Sequence, residues 1–228
     1  MKINLLLILI PVILPASSFS QTIERPNFAL KSHETLEIKK IETTSSSANF
    51  YMSVENRATG GYFCADRNTF IIYPGGERVR LISSSGIPVC PDTYKFRLTG
   101  EKLDFILTFP PLKPGTEWID LVEDCQEYCY SFYRVIIDGG INAQIEDAYS
   151  PAERGEPSLA LDRFIKMARE TGSDNMGFGG LLYLNIIKLA EEAGNKKVAS
   201  EWYSRLVSSE IPDLEHFIEH LNAQGIKY

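Results

Sequence analysis

Apolar and polar positions alternate with a period of two through residues 35–138, and a helical period takes over after Gly139-Gly140. The clearest alternation puts Leu103, Phe105, Leu107 and Phe109 on one face and Asp104, Ile106 and Thr108 on the other. Pro110 and Pro111 stop that strand, because proline offers no N–H to a ladder. The turn Lys113-Pro114-Gly115-Thr116 leads into Glu117-Trp118-Ile119-Asp120-Leu121-Val122. Beyond Cys125 and Cys129 comes Tyr130–Ile137, rich in the aromatic and β-branched residues that strands favour. The spacing predicts three consecutive antiparallel strands in the middle of a sheet.

Upstream, Leu36 and Ile38 begin a strand with Ile41 out of phase, which predicts a bulge. Phe50, Met52 and Val54 alternate against Tyr51, Ser53 and Glu55, and the turn Asn56–Gly61 closes that strand. Tyr62–Ala65, Thr69–Tyr73, Val79 with Leu81, and Tyr94 with Phe96 and Leu98 continue the period, while Ser83–Gly86 and Pro88–Pro91 read as loops. Seven to nine short strands at this spacing predict an antiparallel β-sandwich over residues 21–138.

Residues 139–157 are polar and read as a linker or a partly helical hinge. Ser158 can cap a helix carrying Leu161, Phe164, Ile165 and Ala168, which ends at Thr171-Gly172-Ser173. A second helix follows Gly179-Gly180 with Leu182, Ile186, Leu189, Ala190 and Ala193 inward, and Gly194-Asn195 stops it. A third runs from Lys196 to about Ser209, and Pro212 opens a fourth with Leu214, Phe217, Ile218 and Leu221 inward. The chain is therefore expected to be α+β in separate parts, a sandwich followed by a small four-helix domain over 158–228. Trp202 and Tyr203 adjoin on the third helix and point about 100° apart. One of them is predicted to dock on the sheet near Trp118.

Gly194-Asn195 between two helices, followed by Ala199, Tyr203 and Pro212, resembles the second half of a tetratricopeptide-type helical hairpin over about Leu181–Pro212. That resemblance implies a peptide- or protein-binding role. The strand-rich half broadly resembles the immunoglobulin-like modules of exported bacterial proteins.

The first twenty residues change the picture of where the chain works. Lys2, the apolar Leu5–Leu14 and the small-x-small exit Ser18-Phe19-Ser20 have the layout of a secretory leader, with cleavage expected before Gln21. The expected address is periplasmic or extracellular, with no membrane span, because no later segment approaches the ~20 apolar residues a span requires. The formal charge is −7, and losing Lys2 with the leader makes it −8. Such a chain, without a basic block, is a poor partner for nucleic acid.

Four cysteines in an exported chain read as two disulfides, and of three possible connectivities the local one, Cys64–Cys90 with Cys125–Cys129, is preferred. A four-thiolate zinc site is the alternative, but Cys-x3-Cys beside two isolated cysteines fits ribbon spacing poorly. His216-Phe217-Ile218-Glu219-His220 matches the His-x-x-Glu-His zinc-peptidase pattern. It lies eight residues from the last residue, and it also fits a terminal helix with both histidines on a solvated flank. Among nucleophile and phosphate motifs, no serine sits in Gly-x-Ser-x-Gly, and Gly177-Phe178-Gly179-Gly180 lacks the Gly-Lys pair of a phosphate loop. Asp120, Glu123 and Asp124 are carboxylates at strand ends, where solvated loop charges are usual. Trp118, Tyr128, Tyr130 and Tyr133 would suit sugar stacking if displayed in a row, and core packing otherwise.

The reading these features support is an exported, non-enzymatic module that binds another exported protein or a peptide and needs no cofactor. The alternatives are a hydrolase acting on cell-wall or glycan material through acidic loop residues, and a carbohydrate-binding module.

Overall fold

The computed structural model describes residues 20–126, 128–170 and 177–228. The expected leader, apart from Ser20, lies outside these residues, as do Glu127 and the helix end expected at Thr171-Gly172-Ser173. Antiparallel sheets occupy the first part and five helices the second, an α+β arrangement of separate parts. No helix of the described residues is long and apolar enough to cross a membrane.

The first sheet contains β1 (Gln21–Glu24), β3 (Leu36–Thr43), β4 (Ala48–Glu55), β10 (Lys102–Phe109) and β8 (Ser83–Ser85), in that spatial order. The second contains β2 (Leu30–Lys31), β12 (Ser131–Ile136), β11 (Trp118–Glu123), β6 (Thr69–Ile72) and β7 (Arg78–Arg80). A two-stranded ribbon, β5 (Tyr62–Phe63) with β9 (Tyr94–Lys95), completes the set among the described residues. The two large sheets share one core, to which Ile41, Phe50, Leu107 and Phe109 contribute from one side and Ile71, Ile119, Leu121 and Val135 from the other. The bulge expected near Ile41 falls between Ile38 and Lys40, where the β3–β4 register shifts.

Two expectations about strands are corrected. Strand β10 does not join β11 and β12 in one sheet; it lies in the first sheet between β4 and β8. The burial patterns carry the reason. Leu103, Phe105, Leu107 and Phe109 are buried while the alternate residues are not, so β10 has one covered face. In β11 every residue but Val122 is buried, so both of its faces are covered. The polar stretch Ser83–Ser85, expected as loop, is the edge strand β8, paired with Ile106–Thr108. An edge needs little apolar burial, so composition hides it.

The second covering layer on β11 and β12 is helical. Residues expected as a linker form helix α1 (Gly139–Glu153), capped by the Asp138 carboxylate, which accepts from the Ile141 amide at 2.8 Å. Its buried positions are Asn142, Ile145, Ala148 and Pro151. These recur every three or four residues, but only Ile145 is strongly apolar, among Glu, Asp and Ser, so the stripe is faint in the sequence. Helices α2 (Pro157–Glu170), α3 (Gly179–Glu192), α4 (Lys196–Val207) and α5 (Leu214–Ala223) follow, which makes five helices among the described residues instead of the expected four. Helix α3 is the centre: from Gly179 to Ala190 only Lys188 is not buried. A helix apolar on nearly all sides belongs inside a bundle. Gly180 lets Phe217 of α5 approach so closely that a Cβ there would lie 2.6 Å from its ring.

Neither Trp202 nor Tyr203 docks on the sheet. Trp202 packs on Tyr183 of α3 at 5.3 Å, and Tyr203 on Tyr228 at 5.7 Å. Helix α4 is layered on α3 and α5, so its aromatics are used within the bundle. The sheet contributes Leu30, Trp118 and Ile136 to the same apolar cluster as the helices.

Cys64 is bonded to Cys90 and Cys125 to Cys129, with Cα separations of 5.4 and 5.6 Å. The longer bridge closes a loop that already has backbone hydrogen bonds at its base, from Ala65 to Pro88 and from Cys90 to Ala65. Replacing Cys64 and Cys90 by alanine is expected to cost about 3 kcal/mol through the freed unfolded chain. Replacing Cys125 and Cys129 is expected to cost less. Urea midpoints of the two double variants check the order, and a larger loss from the short clip would contradict it.

Candidate functional site

The residue that most shapes the boundary between sheet and helices is an arginine inside an apolar strand. Arg134 is fully buried and has φ of 56°, a left-handed conformation uncommon outside glycine. The cause is a bulge. Ile119 pairs with Val135 but Leu121 pairs with Phe132, so β12 carries one extra residue opposite β11. Phe132 and Val135 face the inter-sheet core, Tyr133 and Ile136 face the helices, and the extra residue, Arg134, also turns to the helices.

All five guanidinium N–H groups are used there. Nη1 donates to both Asp120 oxygens at 2.8 and 2.6 Å, and Nε donates to the Gly177 carbonyl at 3.0 Å. Nη2 donates to the Pro212 carbonyl at 2.7 Å and to Asp213 Oδ2 at 3.1 Å. The plane lies 4.6 Å from the Trp118 ring, and a Cβ on Gly177 would fall inside that indole. Burial pushes the Asp120 carboxyl up while the Arg134 charge and hydrogen bonds pull it down. One guanidinium thus ties β11, the start of α3 and the start of α5 together. Charged residues in the middle of apolar strands, Asp120 and Arg134, were the available sequence signal; their pairing needed the bulge.

A groove of about 680 Å³ opens between the two parts. One wall is the Arg25–Lys31 segment with β3 and the start of β10, and the other is α1 and α3. Asn142 of α1 fixes the walls, accepting from the Asn27 amide at 2.8 Å and donating to the Ile136 carbonyl at 2.9 Å. Arg25, Lys31, Lys39, Lys102 and Lys188 line the groove against one carboxylate, Glu37. Lys39 pairs with Glu37 and Lys102 with Glu55 at the exposed rim. Lys188 is half-buried on α3, and burial lowers its pKa. Among the described residues neither Arg25 nor Lys188 has an ion-pair partner.

No family model, curated protein or solved structure matches the chain.

The residues singled out from the sequence scatter. His216 touches Tyr133 at 4.9 Å but its side chain is 48% exposed, as expected of a solvated flank, while His220 is half-buried near Lys188 and has its pKa lowered by burial. No cluster of three His, Cys, Asp or Glu among the described residues could hold a metal ion. Trp118 and Tyr130 are buried in different cores, Tyr133 meets His216, and Tyr128 is 87% exposed, so the four aromatics form no row.

The strand-end carboxylates also part. Asp124 is exposed and pairs with Arg78, but Asp120 and Glu123 are buried, contrary to the expected loop charges. Both belong to β11, which is covered on two sides. The Glu123 carboxylate accepts from the Asp66 amide at 2.7 Å and more weakly from that of Tyr130. Burial pushes Glu123 up to about 7, outweighing those two hydrogen bonds. The fold therefore holds the Glu123 proton more tightly than the unfolded chain does. Its contribution is greatest below about pH 4.5 and is lost as pH rises to about 7, a span worth about 3 kcal/mol. Glu123→Gln is expected to flatten stability over that window. Urea unfolding at pH 5 and pH 8 checks this, and an unchanged pH difference would contradict it.

Proposed function

We propose that the chain is an exported, non-enzymatic binding module whose sandwich and helices together form a docking groove for another exported protein or peptide. The observation that carries this reading is the groove itself, assembled from both parts and braced by Asn142. Its volume falls within the ordinary range for ligand sites, about 300–1,000 Å³. Export is supported by the leader-like residues 1–20 and by the two disulfides, which persist in oxidising compartments. The hydrolase alternative has less support, because Asp120 is committed to Arg134 and Asp124 to Arg78.

The test places a photo-crosslinking p-benzoylphenylalanine at Lys102, on the groove rim, or at Arg80, on the opposite edge of the second sheet. The mature chain is then irradiated in the exported fraction. One defined exported protein crosslinked from position 102 but not from 80, and re-forming the complex when purified, is the expected result. Crosslinks from position 80 alone, or none from the groove, would overturn the reading. Intact-mass analysis of the exported form is expected to show a chain beginning at Gln21.

A further inference from the structure

The groove has a charge opposite to that of the chain. The whole sequence carries −7, yet five cations and one carboxylate line this cleft. Two of the cations, Lys39 and Lys102, are neutralised locally by Glu37 and Glu55. Lys31 sits close to Glu37 and Glu34 while its ammonium donates to the Leu36 carbonyl at 3.0 Å. Arg25 and Lys188 keep their charge uncompensated among the described residues. Lys188 is the informative one, because it is half-buried on α3 and no carboxylate among the described residues pairs with it.

Resting on the docking role proposed above, we infer that the groove binds an acidic peptide segment, with Lys188 at its inner end and Arg25 at its rim receiving carboxylates. Partly buried Phe28 lines the groove, which gives an apolar side chain of such a peptide a surface beside the charges. An acidic sugar chain fits less well. Sugars stack on open aromatic faces, whereas Phe28 already packs edge-on with Phe132 at 5.2 Å and Tyr149 with Phe164 at 4.8 Å. The Tyr149 hydroxyl is also committed, donating to Asn185. Lysine supplies a point charge on a flexible stem, which suits carboxylates spaced along a chain better than one fixed planar anion.

The experiment titrates the mature protein by calorimetry with an acetylated octapeptide of alternating glutamate and leucine, its glutamine–leucine counterpart, and trigalacturonate. The glutamate peptide is expected to bind, to weaken as salt rises, and to exceed the glutamine peptide at least tenfold. Lys188→Met is expected to lose about tenfold in affinity for the glutamate peptide. Its thermal midpoint should be equal to or above that of the parent, since a half-buried charge without a carboxylate partner has been removed. A fall in affinity with an unchanged or raised midpoint separates binding from misfolding. Equal binding of both peptides would overturn the charge inference and leave peptide docking standing. Binding of trigalacturonate alone would overturn both. Failure of every probe would overturn the acidic-peptide inference, while crosslinking from position 102 decides the docking role independently.

Discussion

Arg134→Met is expected to destabilise the protein by about 3–5 kcal/mol, measured by urea unfolding at pH 7. Methionine keeps much of the side chain's length and can still fill space beside Trp118, so the loss is not mainly a cavity. The cost comes from Asp120, whose carboxylate is 7% exposed and would be left buried without its cation. The Gly177 and Pro212 carbonyls would lose their donors at the same time. Adding Asp120→Asn removes the orphaned charge, so the double variant is expected to recover part of the loss. A single variant within 1 kcal/mol of the parent would show that the pair is not needed for stability. A double variant worse than the single one would contradict the orphaned-charge explanation.

Trp118→Ala is expected to cost a similar amount, about 3–5 kcal/mol, and to change the shape of the melt as well. The indole is 6% exposed, forms part of the helical core cluster, stacks under Arg134 and fills the space that Gly177 leaves open. Its removal leaves a large cavity at the seam and takes away one face of the guanidinium. The helices bury part of their apolar surface on the sheet through Trp118, Leu30 and Ile136, so they are expected to unfold at a lower temperature than the sandwich in this variant. Circular dichroism at 222 nm and calorimetry would then give two transitions where the parent gives one. A single cooperative melt with a loss below 1 kcal/mol would show that the seam does not couple the two parts. Because Trp118 and Arg134 touch, their losses should not add.

Both variants act on the boundary where reading the sequence was least successful. The alternation in β3, β4 and β10 is plain because one face of each is covered and the other is not. The stripes of α2, α4 and α5 are plain for the same reason. Residues 139–157 hid a helix because α1 meets the bundle with a few small or polar residues, among them Ala148 and Asn142, and Ile145 alone gives a strong apolar signal. Helix α3 was recognisable as a helix, but its place at the centre showed only when nearly every position from Gly179 to Ala190 proved to be buried.

The groove was not legible at all. Arg25, Lys31, Lys39, Lys102 and Lys188 span more than 160 positions of sequence, and in an acidic chain each reads as an ordinary surface charge. Sequence pattern alone determined what is local and repetitive: a β part before an α part, and the period of each element. The leader-like start, with four cysteines in a chain expected to be exported, set the expectation of disulfides. Tertiary structure decided which strands share a sheet, which cysteines are bonded, and where the helices lie. It also decided that one extra residue in β12 aims Arg134 at them. The physical reason is that period and propensity act over a few residues. A bulge register, a buried ion pair or a shared groove is set by the free energy of burying distant segments against one another, and that depends on which faces meet.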